Sequence, residues 1–151
     1  MKKIFPFFSI AIVMIFFAGC GGDNSDDVKK GNGGGTGNNN PPPAQNNYNV
    51  TNSGMTAYTF TGNGLTNATN PSLTLTKGVT YTFNINASGH PFWIKFVQGT
   101  GNSNAYSSGI SGNGTDSGTL TFTVPSDAPA TLFYNCQIHA SMTGTITIVS
   151  P

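Results

Sequence analysis

Leu73 to Ile85 reads L-T-L-T-K-G-V-T-Y-T-F-N-I. On both sides of Lys77-Gly78 the apolar residues fall on every second position: Leu73 and Leu75 before it, then Val79, Tyr81, Phe83 and Ile85. Threonine and asparagine fill most of the places between them. Successive side chains of a strand point to opposite faces, so each half of the stretch reads as a strand with one buried face. The Lys-Gly pair between the halves is a turn signal.

The same alternation recurs along the chain. Leu120, Phe122 and Val124 alternate with Thr119, Thr121 and Thr123, and Ile146 and Ile148 alternate with Thr145 and Thr147. Strands are expected over 55–61, 72–76, 79–86, 91–97, 105–110, 118–124, 130–136 and 143–149. Gly62–Gly64, Asn70-Pro71, Gly99–Gly101, Ser107–Gly118 and Pro125–Pro129 punctuate them. No segment beyond the N-terminal leader carries an apolar stripe at helical spacing. The pattern predicts an all-β Greek-key sandwich or barrel of seven to eight strands. Phe92, Trp93, Ile94 and Phe96 read as core, with Phe92 open to lining a site instead, and Tyr134 reads as a packed strand aromatic.

Composition narrows the function. Charged residues make up 7% of the 151, and the formal net charge is +1. That balance excludes a basic footprint for nucleic acid and a polybasic membrane patch. The glycine-rich stretches do not follow a strand and open a helix, so they are not phosphate loops. No Ser-His-Asp set or paired carboxylates stand out, and an enzyme is not expected.

The first residues explain one of the two cysteines. Lys2 and Lys3 precede an apolar run from Ile10 to Phe17, followed by Ala18, Gly19 and Cys20. This is a secretory signal, too short for a permanent span. F-A-G-C at Phe17–Cys20 resembles a bacterial lipobox, which implies cleavage before Cys20 and lipid on its sulfur. Residues 1–19 are then the lipoprotein signal peptide. Residues 20–47, rich in Gly, Asn, Asp and Pro, read as a disordered tether reaching about 30 Å. The folded domain is expected over 48–151. The implied location is the cell envelope, with the domain outside the cytoplasm on either membrane. A lipidated Cys20 cannot pair with Cys136, so the second thiol needs its own reason in an exported protein.

That reason lies in Tyr134–Gly144, Y-N-C-Q-I-H-A-S-M-T-G. Cys136, His139 and Met142 recur at three-residue steps. His90, the one other histidine, follows the strand 79–86 across Ala87, Ser88 and Gly89. Two loops at one end of a sandwich can bring these four together. Soft sulfur with imidazole suits copper, and two His with one Cys and a weak axial Met is a blue-copper arrangement. Zinc accepts nitrogen and sulfur donors too, but it carries no electron.

Cys136-x-x-His139-x-x-Met142-x-Gly144 with an upstream His90 resembles the cupredoxins, the type 1 copper proteins of the plastocyanin and amicyanin kind. Asn70–Phe83, Gly89–Ile94 and Val124–Pro129 are similar to small bacterial members. The resemblance implies one copper ion, with Cys136 as thiolate ligand, His90 and His139 as equatorial imidazoles and Met142 as axial thioether. It also implies His139 as the ligand nearest the surface and the electron exit. The chain departs from the family at Pro91, where the family commonly has Asn with a backbone N–H on the sulfur, and at Gln137, commonly Ser or Thr. Ile138 can still offer an N–H to Cys136.

The expected function is a membrane-tethered, monomeric carrier of single electrons between redox proteins of the envelope. Docking is expected through an apolar surface around His139 that includes Pro91, Ala140 and Ser141. A copper-binding or delivery protein without electron traffic, and a metal-free sandwich used for binding, are the alternatives.

Overall fold

The computed structural model describes residues 46–151. The expected signal segment 1–19, Cys20 and its lipid, and the tether as far as residue 45 lie outside the described residues. The described residues form ten strands and no helix: β1 (Asn47–Ser53), β2 (Ala57–Gly62), β3 (Leu65–Thr69), β4 (Leu73–Thr76), β5 (Thr80–Asn86), β6 (Phe92–Lys95), β7 (Ile110–Ser111), β8 (Ser117–Thr123), β9 (Thr131–Cys136) and β10 (Thr143–Val149). They make a six-stranded sheet, β3-β2-β1-β5-β8-β7, and a four-stranded one, β4-β10-β9-β6.

The alternating residues build the core. Tyr48, Val50, Tyr58, Phe60, Tyr81, Phe83, Leu120 and Phe122 line the inner face of the large sheet, and Leu73, Leu75, Phe92, Ile94, Leu132, Tyr134, Ile146 and Ile148 that of the small one; all are buried in one cluster. Distant parts of the chain lie side by side. β1 runs parallel to β5, with Tyr48 opposite Phe83, and β4 runs parallel to β10, with Leu73 opposite Ile146. The chain passes repeatedly from one sheet to the other, as Greek-key connections do.

Lys77-Gly78 is one such passage. β4 and β5 belong to different sheets, so this turn makes a corner and no hairpin. Gly78 adopts φ 81°, which a glycine takes without a Cβ penalty. The two N–H groups donate to the carbonyls of Val149 (Lys77, 2.9 Å) and Val124 (Gly78, 2.8 Å), stitching both sheets at the corner.

Phe92 is the hub between the sheets. Its ring centroid lies 5.0 Å from Tyr58, 5.9 Å from Phe83 and 6.1 Å from Phe60 on the large sheet, and 5.4 Å from Tyr134 on its own. Aromatic pairs of this kind add roughly 0.5–1.5 kcal/mol each beyond their buried area. They make a stiff floor, and Phe92 is the residue paired with Cys136 at the end of β9. Phe92 therefore belongs to the core, with its ring directed among the other aromatics.

Three details differ from the sequence pattern. There are ten strands where seven or eight were expected, because β1 and β3 carry few apolar residues. The strand expected over 91–97 ends at Lys95, and Phe96, read as core, is 50% exposed. Over 105–110 the chain makes one bridge, Ala105 to Lys95, before the two-residue β7.

Candidate metal centre

His90 stands at the end of a tight turn after β5. Its N–H donates to the carbonyl of Ala87 at 2.8 Å, and Gly89 takes φ 79° to complete the turn. The Gly89 N–H donates to the carboxylate of Asp116 at 2.8 Å, which holds this loop against the start of β8. Cys136 closes β9, and the seven residues to Met142 form one compact loop. The Cys136 N–H donates to the Met142 carbonyl at 2.9 Å, and the Met142 N–H donates to the His139 carbonyl at 3.2 Å. Cys136 and Met142 are fully buried, His90 is 8% exposed, and His139 is half-buried.

The fold brings His90, Cys136 and His139 together, with their donor atoms within 4.8 Å of one another. Both histidines turn Nδ1 inward. The nitrogens are 3.1 Å apart, and Cys136 Sγ lies 3.9 Å from His90 Nδ1 and 3.8 Å from His139 Nδ1. A circle through three points so spaced has a radius of about 2.1 Å, against first-row metal–nitrogen lengths of about 2.0–2.1 Å and a metal–sulfur length of about 2.3 Å. One ion of that size fits the triangle of donors. Two imidazoles and a thiolate in a trigonal set suit copper.

The surroundings keep the triangle fixed. The Ile138 N–H reaches Cys136 Sγ at 3.4 Å, as the sequence led one to expect. Gln137 braces the neighbouring strand: its N–H donates to the Pro91 carbonyl at 3.0 Å, and its side-chain oxygen accepts from Trp93 Nε1 at 3.0 Å. Tyr134 is packed and also polar-bound, its hydroxyl donating to the Pro71 carbonyl at 2.8 Å. The ring lies over Gly144, its partner on β10, where any Cβ would collide with it.

Sequence reading missed two polar residues beside the site. Tyr58 donates its hydroxyl to the His90 carbonyl at 2.7 Å, and Asn70 donates Nδ2 to the Ser141 carbonyl at 2.9 Å. In the sequence Tyr58 is one more alternating strand residue and Asn70 one half of a turn signal, so nothing local marked them. Burial holds the Tyr58 hydroxyl well above the ordinary tyrosine range, and Cys136 beside it adds to the effect. It remains a protonated donor.

No family model matches the chain, and no curated protein does. Among solved structures it is similar to reduced rusticyanin (20% identity, 68% of this chain and 78% of the other covered, TM-score 0.47) and to rusticyanin from Thiobacillus ferrooxidans (21%, 68% and 76%, TM-score 0.46). It is also similar to a purple cupredoxin from Nitrosopumilus maritimus (16%, 68% and 98%, TM-score 0.43). In its own atoms the domain is a two-sheet sandwich with a His-Cys-His triangle at one end and a buried Met closing the loop, a cupredoxin-like arrangement with a donor set that fits one type 1 copper ion.

Proposed function

We propose that the domain is a type 1 copper protein that carries single electrons between redox proteins of the cell envelope. It would be tethered to a membrane by lipid on Cys20. The observation that supports this most is the donor triangle, whose dimensions suit one first-row ion while its chemistry, one thiolate and two imidazoles, suits copper. His90, Cys136 and His139 would hold the ion, with the buried Met142 as a weak fourth ligand.

Bound copper supplies a one-electron Cu(II)/Cu(I) couple. The chain's part is to keep the donors still while the charge changes. Cys136 ends β9 over the aromatic floor, the His90 N–H is tied to the Ala87 carbonyl in the turn after β5, and the 136–142 loop is closed by its own hydrogen bonds. Little movement is then needed on either side of the transfer. His139 is the half-buried ligand, flanked by exposed Ile138, Ala140 and Ser141, and offers the short way out for an electron. Residues 46–151 carry only Lys77, Lys95, Asp116 and Asp127 as charged side chains. Partners would therefore dock on an apolar, neutral face more than through charge steering.

The test is a visible spectrum of the copper-loaded protein. An intense thiolate-to-copper band is expected, bleached by reductant and absent from Cys136→Ser. A colourless Cu(II) complex, or no binding, would sink the proposal. Slow electron self-exchange together with ready transfer of copper to an acceptor would turn the reading toward copper delivery.

A further inference from the structure

Two ligand loops must stand at a fixed separation for the donor triangle to keep its size. His90 lies on one and His139 on the other. Pro91, the residue after the first histidine, joins them through its carbonyl, which accepts the Gln137 N–H at 3.0 Å, but has no N–H to add a bond of its own. A second polar connection runs between the loops through the large sheet.

It begins at the His90 carbonyl, which accepts the Tyr58 hydroxyl at 2.7 Å in a fully buried contact. The Tyr58 ring is held edge-on against Phe92 at 68°. Its backbone is gripped from the other side by Asn70. The Tyr58 N–H donates to Asn70 Oδ1 at 2.9 Å, and the Asn70 N–H donates to the Tyr58 carbonyl at 2.9 Å. Asn70 then donates Nδ2 to the carbonyl of Ser141, between His139 and Met142, at 2.9 Å. Its backbone sits at φ 43°, a left-handed conformation that asparagine tolerates better than most residues. The connection is His90 carbonyl, Tyr58, Asn70, Ser141 carbonyl, with each side chain supplying one end.

We propose that Tyr58 and Asn70 act as a positioning clamp that fixes the spacing of the His90 and His139 loops, and so the size of the donor triangle, before any ion arrives. The proposal deepens the copper reading and rests on it for its purpose. The clamp itself is a property of the metal-free chain. A phenylalanine at 58 would fill the same core volume, so the hydroxyl is accounted for by its hold on the His90 loop.

Tyr58→Phe and Asn70→Gly test it singly and together; glycine keeps the positive φ available at 70. Partners that orient metal ligands typically change metal affinity 10- to 100-fold when removed. Each single variant is expected to bind copper at least tenfold more weakly, by chelator competition, with a shifted visible and paramagnetic-resonance spectrum. The double variant should lose little beyond the worse single one, because the two residues form one connection. In the metal-free protein, amide hydrogen exchange at Ile138–Thr143 should quicken by a similar factor in both variants. Wild-type affinity, spectrum and loop exchange in both would overturn the clamp. So would a lower melting temperature with affinity, spectrum and loop exchange unchanged, which is what a purely packing role predicts. If the unaltered protein binds no copper, the copper reading fails, while the exchange measurement still decides the clamp.

Discussion

The Nδ1 atoms of His90 and His139 lie 3.1 Å apart although 49 residues separate them in the chain. At that distance the two rings can share one proton, one donating and the other accepting. An ion held here would need both nitrogens to present lone pairs. The rings differ in their access to water: His90 is nearly covered, and His139 is half-buried.

That asymmetry predicts different fates for two equivalent deletions. His139→Gly opens a coordination position toward solvent, so the copper-loaded variant should lose the thiolate band and regain it when free imidazole is added. His90→Gly leaves its gap beneath the sandwich end, and free imidazole should restore far less of the band. Spectra taken through an imidazole titration check both. Equal rescue would mean that His139 is not the surface ligand.

Pro91 sits beside the end of β9, its carbonyl accepting the Gln137 N–H at 3.0 Å, yet its ring leaves no N–H to donate. Among the described residues the backbone donor to Cys136 Sγ is Ile138, at 3.4 Å. A donor on the sulfur draws electron density from the thiolate and favours the reduced ion. Pro91→Ala should therefore raise the reduction potential by roughly 30–60 mV, a tenfold shift being about 59 mV for one electron. Voltammetry of the two proteins checks it. An unchanged or lower potential would show that the restored N–H does not face the sulfur.

Much of this site is readable in the chain because it is local. Cys136, His139 and Met142 are neighbours in sequence, and the period-two runs around them describe the strands that carry the loop. The clamp is not local. Tyr58 lies 32 residues from His90 and Asn70 lies 71 from Ser141, so their roles exist only once the sheets have closed. β3 escaped notice for another reason. Leu65–Thr69 is an edge strand with no fully buried side chain, held by pairing to β2, and an alternation of apolar residues is not needed there. Phe96 misled in the opposite sense, since an aromatic next to a strand looks like core even where the chain has already turned outward.

Lys95 was equally hidden. It is 1% exposed on the last position of β6, and its ammonium is met by carbonyls alone: Gly99 at 2.6 Å, Gly101 at 3.2 Å and Thr100 at 3.4 Å. The charge folds the 99–101 loop back over the strand, and the Gly101 N–H goes on to the Gln137 carbonyl beside Cys136 at 2.7 Å. Lys95→Met keeps the apolar stem but withdraws the donor from those carbonyls. Removing a charged donor of this kind costs roughly 1–3 kcal/mol. A drop of that size in denaturant unfolding, with an unchanged m-value, is the expected result. Unaltered stability would mean that water replaces the ammonium.

Tyr48, Tyr58 and Tyr134 predict how the fold fails in alkali. All three are buried, and desolvation is the largest cause raising each above the ordinary 10.0; Cys136 adds to it at Tyr58, while the Asn63 hydrogen bond offsets part of it at Tyr48. The unfolded chain releases these protons near pH 10, whereas the folded protein holds them to higher pH. Their contribution is fully present below about pH 10 and is lost as pH rises above it, because the native state then binds more protons than the unfolded one. Each such tyrosine lowers the folding constant roughly tenfold per pH unit in that window. Denaturant midpoints of the metal-free protein should be flat up to about pH 9 and fall steeply beyond about pH 10. Tyr134→Phe begins from lower stability, having lost its bond to the Pro71 carbonyl, but its slope should be shallower by one proton. An identical slope in the variant would show that Tyr134 ionises in place and that its burial does not govern the alkaline limit.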